Sequence, residues 1–274
     1  MARSLPTQPE ALTSTRSPRV AGLRKLHDRR GRASTGTFLA EGPDCVRAAV
    51  QTGLAVQILA TADHELALWA QGQGVPVTTA EPRVIDAICD TRTPQGVVAE
   101  CRLPTVELAE LLTGSGPVVV CEGLADPGNL GSIIRTAEAV GAAGVVTTHG
   151  SVDPWNPKAV RAAAGSSFRV PVVAGQQAGE LIERLRAAGR VSIALTAQSE
   201  TDAMGQIREL IREGHRVESI AWVVGSEAHG IAPEIAALAD RRASVPMRAP
   251  VESLNAAVAI SVCLYAAAWA EVPR

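Results

Sequence analysis

Residues 117–149 read PVVVCEGLADPGNLGSIIRTAEAVGAAGVVTTH. An apolar run ends in a turn of Asp, Pro, Gly and Asn, a helical pattern follows, and a second apolar run comes after Gly144. Leu130, Ile133, Ile134, Ala137 and Val140 recur at helical spacing and predict one buried face. Strand, helix and strand in this order predict a parallel βαβ unit, whose ligands sit at the carboxyl ends of the strands. Asn129 stands where a helix cap is expected. Arg135 and Glu138 fall off the apolar stripe, so Arg135 is either an i,i+3 partner of Glu138 or a cation facing a ligand. The turn is not G-x-G-x-x-G, and G-x-x-x-x-G-K-[ST] occurs nowhere, so neither phosphate-binding loop is present.

The same alternation extends in both directions. Downstream, apolar strands are predicted at VVVCE, GVVTTH, RVPVVA, VSIALTA, SIAWVVG and RASVPM, apolar throughout as in a parallel sheet covered on both faces. Upstream, TFLAEG, AVQILAT, VPVTT and QGVVAEC alternate with helical patterns and predict a smaller α/β domain over 18–102. Residues 1–17 lack periodicity and predict a loose tail. A short basic helix follows, capped by Ser17 with Pro18 in its first turn. Residues 103–116 predict a linker with one short helix, and 117–274 a second domain.

The chain has 274 residues, 46% hydrophobic and 20% charged, with a net charge of −2, which bounds it as globular and not basic throughout. Five scattered cysteines without C-x-x-C predict a reduced, cytoplasmic protein without a zinc site. The N-terminus shows no apolar core of a secretory signal. Residues 253–270 contain no charge, but their alanine content predicts a buried core helix rather than a membrane span.

Two further stretches carry polar residues at predicted strand ends. In WVVGSEAHGI, residues 222–231, Gly225 and Gly230 permit close backbone approach to a ligand and Glu227 lies between them. In VPMRAPVESLNAAVA, residues 245–259, Glu252 and Ser253 suit a helix N-terminus, with Asn255 just beyond. Each stretch alone reads as an ordinary turn or cap. The set of three, N-x-x-x-x-x-R, G-S-E-x-x-G and V-P-M…E-S-L-N, resembles the TrmH/SpoU branch of the SPOUT RNA methyltransferases across 117–270. RVAGLRKLHDRRGRASTGTFLAEG and TPQGVVAE are similar to the RNA-binding substrate domain often fused to that branch.

The resemblance implies a parallel α/β domain with a C-terminal trefoil knot and a smaller N-terminal α/β RNA-binding domain, a layout shared with thiostrepton-resistance enzymes. It implies S-adenosylmethionine as methyl donor, held mainly by backbone at Leu195, Thr196, Gly225, Val245, Met247, Ser253 and Leu254, and transfer to a ribose 2′-hydroxyl of RNA without a metal. Arg135 is then the residue at the reacting hydroxyl. Guanidinium is effectively always protonated, which suits a stabilising cation better than a base. Asn129, Glu227, Ser253 and Asn255 would orient it. It further implies a homodimer through the C-terminal domain, with one subunit's Arg near the other's cofactor. Residues 16–32 hold seven Lys and Arg against Asp28, and predict phosphate contacts by Arg24, Lys25, Arg29 and Arg30. Lys158, Arg161 and Arg169 add to these, and Ala162 stands where the family usually has Ser. Ribosomal RNA is the expected substrate. A tRNA methyltransferase, a non-catalytic RNA-binding protein of the same fold and a nucleotide-dependent Rossmann enzyme remain alternatives.

Overall fold

Strand pairing sorts the chain into two sheets of different character. A computed structural model describes residues 11–197 and 199–270. It comprises two units, Met1–Pro104 with Trp155–Arg161, and Thr105–Pro154 with Ala162–Arg274.

The first unit runs α1 (Pro18–Arg24), α2 (Arg29–Thr35), β1 (Thr37–Glu41), α3 (Pro43–Gln51), β2 (Ala55–Ala60), α4 (Glu65–Gly72), β3 (Val77–Thr79), α5 (Pro82–Ile88) and β4 (Val97–Arg102). The sheet order is β1-β4-β2-β3; β4 is antiparallel to both neighbours, and β2 and β3 are parallel. Ser17 caps α1 by accepting from Val20 N, as its position predicts. The expected single basic helix is broken: a 3₁₀ turn, Lys25–His27, and the extended Asp28 separate α1 from α2. The tail is not loose over its described part, since Leu12 N donates to Thr79 O at 2.8 Å and Glu81 N to Leu12 O at 3.0 Å. Residues 1–10 of that predicted tail lie outside the described residues.

Residues 155–161 belong to this unit. Trp155 lies on Phe38, ring centroids 4.9 Å apart. Arg161 Nη1 donates to Glu41 Oε2 at 3.0 Å.

The second unit runs α6 (Leu108–Thr113), β5 (Val118–Cys121), α7 (Pro127–Ala139), β6 (Gly144–Thr148), α8 (Pro157–Ala162, mostly in the first unit), β7 (Val172–Gln176), α9 (Ala178–Ala187), β8 (Val191–Leu195), α10 (Ala203–Arg212), β9 (Ile220–Val224), α11 (Pro233–Leu238), β10 (Arg241–Ala243) and α12 (Ala256–Ala270). Its six strands pair in the order β10-β8-β9-β5-β6-β7, all in parallel. Val118, Val120, Ala221 and Val223 share one face with leucines of α6 and α9. Successive side chains alternate, so Val119 and Trp222, both 0% exposed, face the other side, where α7, α10 and α12 pack.

α6 is the short helix expected over 103–116, but it is not part of a linker: Leu108, Leu111 and Leu112 are buried in the second core. Arg190, 7% exposed, secures the end of α6 and the stretch after it, donating to the carbonyls of Leu112 at 2.9 Å and Gly116 at 2.6 Å, and to that of Gly114. Burial pulls its guanidinium below the usual arginine range, opposed by Glu218.

α12 is the helix its composition predicts, but only one face of it is buried. Ile260, Cys263, Leu264 and Ala267 are buried, whereas Val258, Val262, Tyr265 and Trp269 are exposed. No helix among the described residues is long and apolar enough to cross a membrane.

Candidate active site

The carboxyl ends of β10, β8, β9 and β5 lie side by side because those strands are neighbours and parallel. This edge carries Leu195 at the end of β8 and Thr196 just after it, Gly225 after β9, and the loop of residues 244–255 after β10. The strand expected to run through Val-Pro-Met ends at Ala243, so Val245 and Met247 lie in that loop. Its neighbour β5 launches α7, which carries Asn129 and Arg135.

Asp126, not Asn129, caps α7: its Oδ1 accepts from Asn129 N at 2.9 Å, with Pro127 beginning the helix. Leu130, Ile133, Ile134 and Ala137 form the buried stripe, each 0% exposed. Each of the three larger side chains contributes roughly 2 kcal/mol of burial. Asn129, one turn in, is thereby free to turn its amide outward.

Its partners come from both other motifs. Asn255 Oδ1 accepts from Ala257 N at 3.0 Å and Val258 N at 3.2 Å, capping α12. Glu252 and Ser253 do not cap this helix; Asn255 takes that place. With its oxygen committed, Asn255 presents Nδ2, which donates to Asn129 Oδ1 at 2.9 Å. Asn129 must then use its own Nδ2, which donates to Glu227 Oε1. The direction of this relay is set at one end by the helix N-terminus, and Glu227 is the accepting end.

Glu227 sits on a closed loop. Ser226 N donates to Gly230 O at 3.0 Å and Gly230 N to Ser226 O at 2.9 Å. A Cβ on Gly225 would lie 2.1 Å from the carbonyl carbon of Gly230, so the chain's own backbone fills the space expected for a ligand at that Cβ. Gly225 is obligatory for the loop's closure. The Cys121 thiol is pushed up to about 12, first by burial and then by the Glu227 carboxylate, so it is not a nucleophile here.

Arg135 is exposed and makes no hydrogen bond or ion pair with the described residues. The i,i+3 pair with Glu138 does not form, because Arg169 takes both Glu138 oxygens along one edge of its guanidinium, Nε to Oε1 and Nη2 to Oε2 at 3.0 Å. Six residues after Asn129, Arg135 stands about 9 Å along the helix and about 120° around it. The structure thus joins Asn129, Glu227 and Asn255 and leaves Arg135 and the exposed Ser253 outside their hydrogen-bond network.

Around the relay, Leu195, Val245 and Met247 are half-buried, while Leu254 and Val251 are 38% and 52% exposed. Apolar side chains at the ends of parallel strands suit a flat, uncharged ring. The loops there carry no glycine-rich phosphate cradle. No group of three or more His, Cys, Asp or Glu that could hold a metal occurs among the described residues.

The cations predicted to bind RNA divide. Lys25, Arg29 and Arg30 line a concavity of about 720 Å³ with Asp28, Gly31 and Ser34. Gly31 allows it: a Cβ there would lie 1.9 Å from the Lys25 carbonyl oxygen. Arg24 is exposed nearby. Arg32, 3% exposed, donates to the carbonyls of Leu26 at 2.7 Å and His27 at 2.8 Å, and Arg19 to Thr78 at 2.9 Å, so both serve the fold. Lys158 is exposed. Arg161 is not available as predicted, being held by Glu41 at 3.0 Å and Asp90 at 3.7 Å. Glu41 has a side chain 2% exposed and also accepts from Asp90 N at 2.8 Å and Thr91 N at 3.2 Å. Its importance was not legible in TFLAEG, because its partners are distant in sequence.

Comparison with known proteins finds relatives across both units. The MRM3-like substrate binding domain matches residues 17–99. The 23S rRNA (guanosine(2553)-2′-O)-methyltransferase RlmP of Bacillus subtilis is 31% identical over 255 residues, covering 93% of this chain and 97% of that one. A crystal structure of an AdoMet-bound rRNA methyltransferase from Sinorhizobium meliloti superposes with a TM-score of 0.83 at 27% identity, covering 96% and 99%. The SpoU methyltransferase AviRb from Streptomyces viridochromogenes, in complex with AdoMet, gives 0.79 at 28% identity, covering 93% and 98%. With its parallel sheet and all three motifs inside the matched residues 116–265, the chain belongs to the SpoU rRNA methylase family.

Proposed function

We propose that this protein is an S-adenosylmethionine-dependent methyltransferase acting on a ribose 2′-hydroxyl of 23S ribosomal RNA in the cytoplasm. The observation that carries the reading is the Asn255–Asn129–Glu227 relay, which ties the three motifs together at the carboxyl edge of a parallel sheet. Leu195, Thr196, Gly225, Val245, Met247, Ser253 and Leu254 would hold the cofactor, within the knotted C-terminal crossing that the family resemblance implies. Bound there, it would supply a sulfonium methyl for the 2′-oxygen, the sulfur keeping the bonding pair and the hydroxyl proton passing to solvent water. Arg135 donates to that oxygen as its charge develops, a role suited to a permanent cation. Glu227, fixed as an acceptor, orients a donor of the bound ribose or base. Arg24, Lys25, Arg29 and Arg30 hold RNA phosphates in the first unit.

The dimer belongs to the same proposal. Val258, Val262, Tyr265 and Trp269 fall within about 60° of one another around α12, and are 49%, 47%, 37% and 68% exposed. A second copy of this chain on that stripe would cover it and bring the partner's uncommitted Arg135 toward the relay. Val262→Asp should convert a dimer to monomers in sedimentation equilibrium and abolish turnover. The decisive experiment is methyl transfer from labelled S-adenosylmethionine to deproteinised 23S RNA, with ribose methylation mapped. Calorimetry should show the cofactor binding in EDTA. Binding of NAD or ATP in its place, or transfer to tRNA alone, would overturn the reading.

A further inference from the structure

Arg135 and Glu138 lie three residues apart on the exposed surface of α7, a spacing that puts their side chains about 5–6 Å apart and pairs them by default. In the structure they do not pair. Arg169, which follows the 3₁₀ turn Ser166–Phe168, reaches Glu138 with Nε on Oε1 and Nη2 on Oε2 at 3.0 Å. This fork is the arrangement in which guanidinium grips carboxylate most strongly. Arg169, with help from the Ser166 hydroxyl and against some burial, holds the Glu138 carboxyl below its usual range. Glu138 is therefore an anion whose two oxygens are already occupied.

The geometry points to Arg169 as a positioning residue for methyl transfer: by sequestering Glu138 it keeps Arg135 uncommitted and removes a bare negative charge from beside the developing oxyanion. The inference rests on the reading of Arg135 given above. It assigns Arg169 a role other than the phosphate contact its charge suggests.

Arg169→Ala leaves an uncompensated carboxylate one helical turn from the reacting arginine. The kcat for methyl transfer should fall about tenfold, the effect of a unit charge roughly 6 Å away in a medium between water and protein. KM for RNA and cofactor affinity should stay unchanged. Glu138→Gln alone should be near wild type, since Arg135 remains free. The double variant Arg169→Ala/Glu138→Gln should recover to within about twofold of wild type. A double variant as slow as Arg169→Ala, or Glu138→Gln equally slow, would show that the bridge serves only the fold. A raised KM for RNA with kcat intact would make Arg169 a phosphate contact; either result overturns the inference. If Arg169→Ala fails to fold, Arg169→Gln carries the same comparison. Arg135→Ala, assayed in parallel, separates the two claims: normal turnover there removes the reading of Arg135 itself, whereas lost turnover without rescue removes only the role of Arg169.

Discussion

Residues 16–32 and residues 153–171 are alike as sequences. Each concentrates arginine and lysine, and each contains a single acid, Asp28 in one and Asp153 in the other. The fold treats them differently. In the first stretch Arg24, Lys25, Arg29 and Arg30 stay on the surface without an ion pair among the described residues, three of them around one concavity. In the second, Arg161 is claimed by Glu41, 120 residues away, and Arg169 by Glu138, 31 residues away. Local charge density therefore does not identify a phosphate-binding surface. What matters is whether acids from elsewhere in the chain reach the cations first. Arg135 is the limiting case, an arginine with an acid three residues away that is left free because another arginine takes that acid.

The largest expected effect tests that case. Arg135→Ala should lower turnover by about 10²–10³, as for loss of one oxyanion-stabilising donor, with circular dichroism unchanged. Arg135→Lys should recover little, because an ammonium lacks the guanidinium fork. Next is the free cluster. Replacing Arg24, Lys25, Arg29 and Arg30 together by Ala should reduce the slope of log affinity against log salt by about 3 and weaken RNA binding about a hundredfold near physiological salt. Filter binding across a salt series reads both, and an unchanged slope would put the RNA elsewhere.

The occupied cations should behave in the opposite way. Arg161→Ala should leave the salt slope intact and destabilise the first unit by about 2 kcal/mol in urea unfolding. The cost arises because Glu41 loses its partner while buried, discounted because Arg161 itself is partly exposed. A change in salt slope without a change in stability would erase the contrast between the two stretches. The smallest effect separates cap from relay. Asp126→Ala should cost about 1 kcal/mol of stability, whereas Asn129→Ala should lower turnover and shift stability by less than about 0.5 kcal/mol.

Much of the architecture was legible because it rests on short-range patterns. Apolar runs located the strands and period-3.6 apolar spacing the helix after β5, and the apolar character of the second set of strands implied a parallel sheet with both faces covered. The places of Asn129, at the start of α7, and of the loops that carry Glu227 and Asn255 followed from where those strands end. Local signals went astray where two residues could do the same local work. Asp126 and Asn129 both suit a cap, as do Ser253 and Asn255, and only the packed helices select Asp126 and Asn255. The leucines of α6 read as a linker because the core that buries them is contributed by β5, β6 and α9.

What the sequence by itself determined was the order of elements, the edge at which the site lies and the residue types available there. Tertiary structure alone decided which of those residues are committed. The reason is that periodicity is a property of neighbours in the chain, while hydrogen-bond direction and ion pairing depend on atoms brought together from distant positions. Asn129 meets Glu227 across 98 residues and Asn255 across 126. Its amide is oriented by the N-terminus of α12, a constraint that exists only once α7, β9 and α12 have packed together.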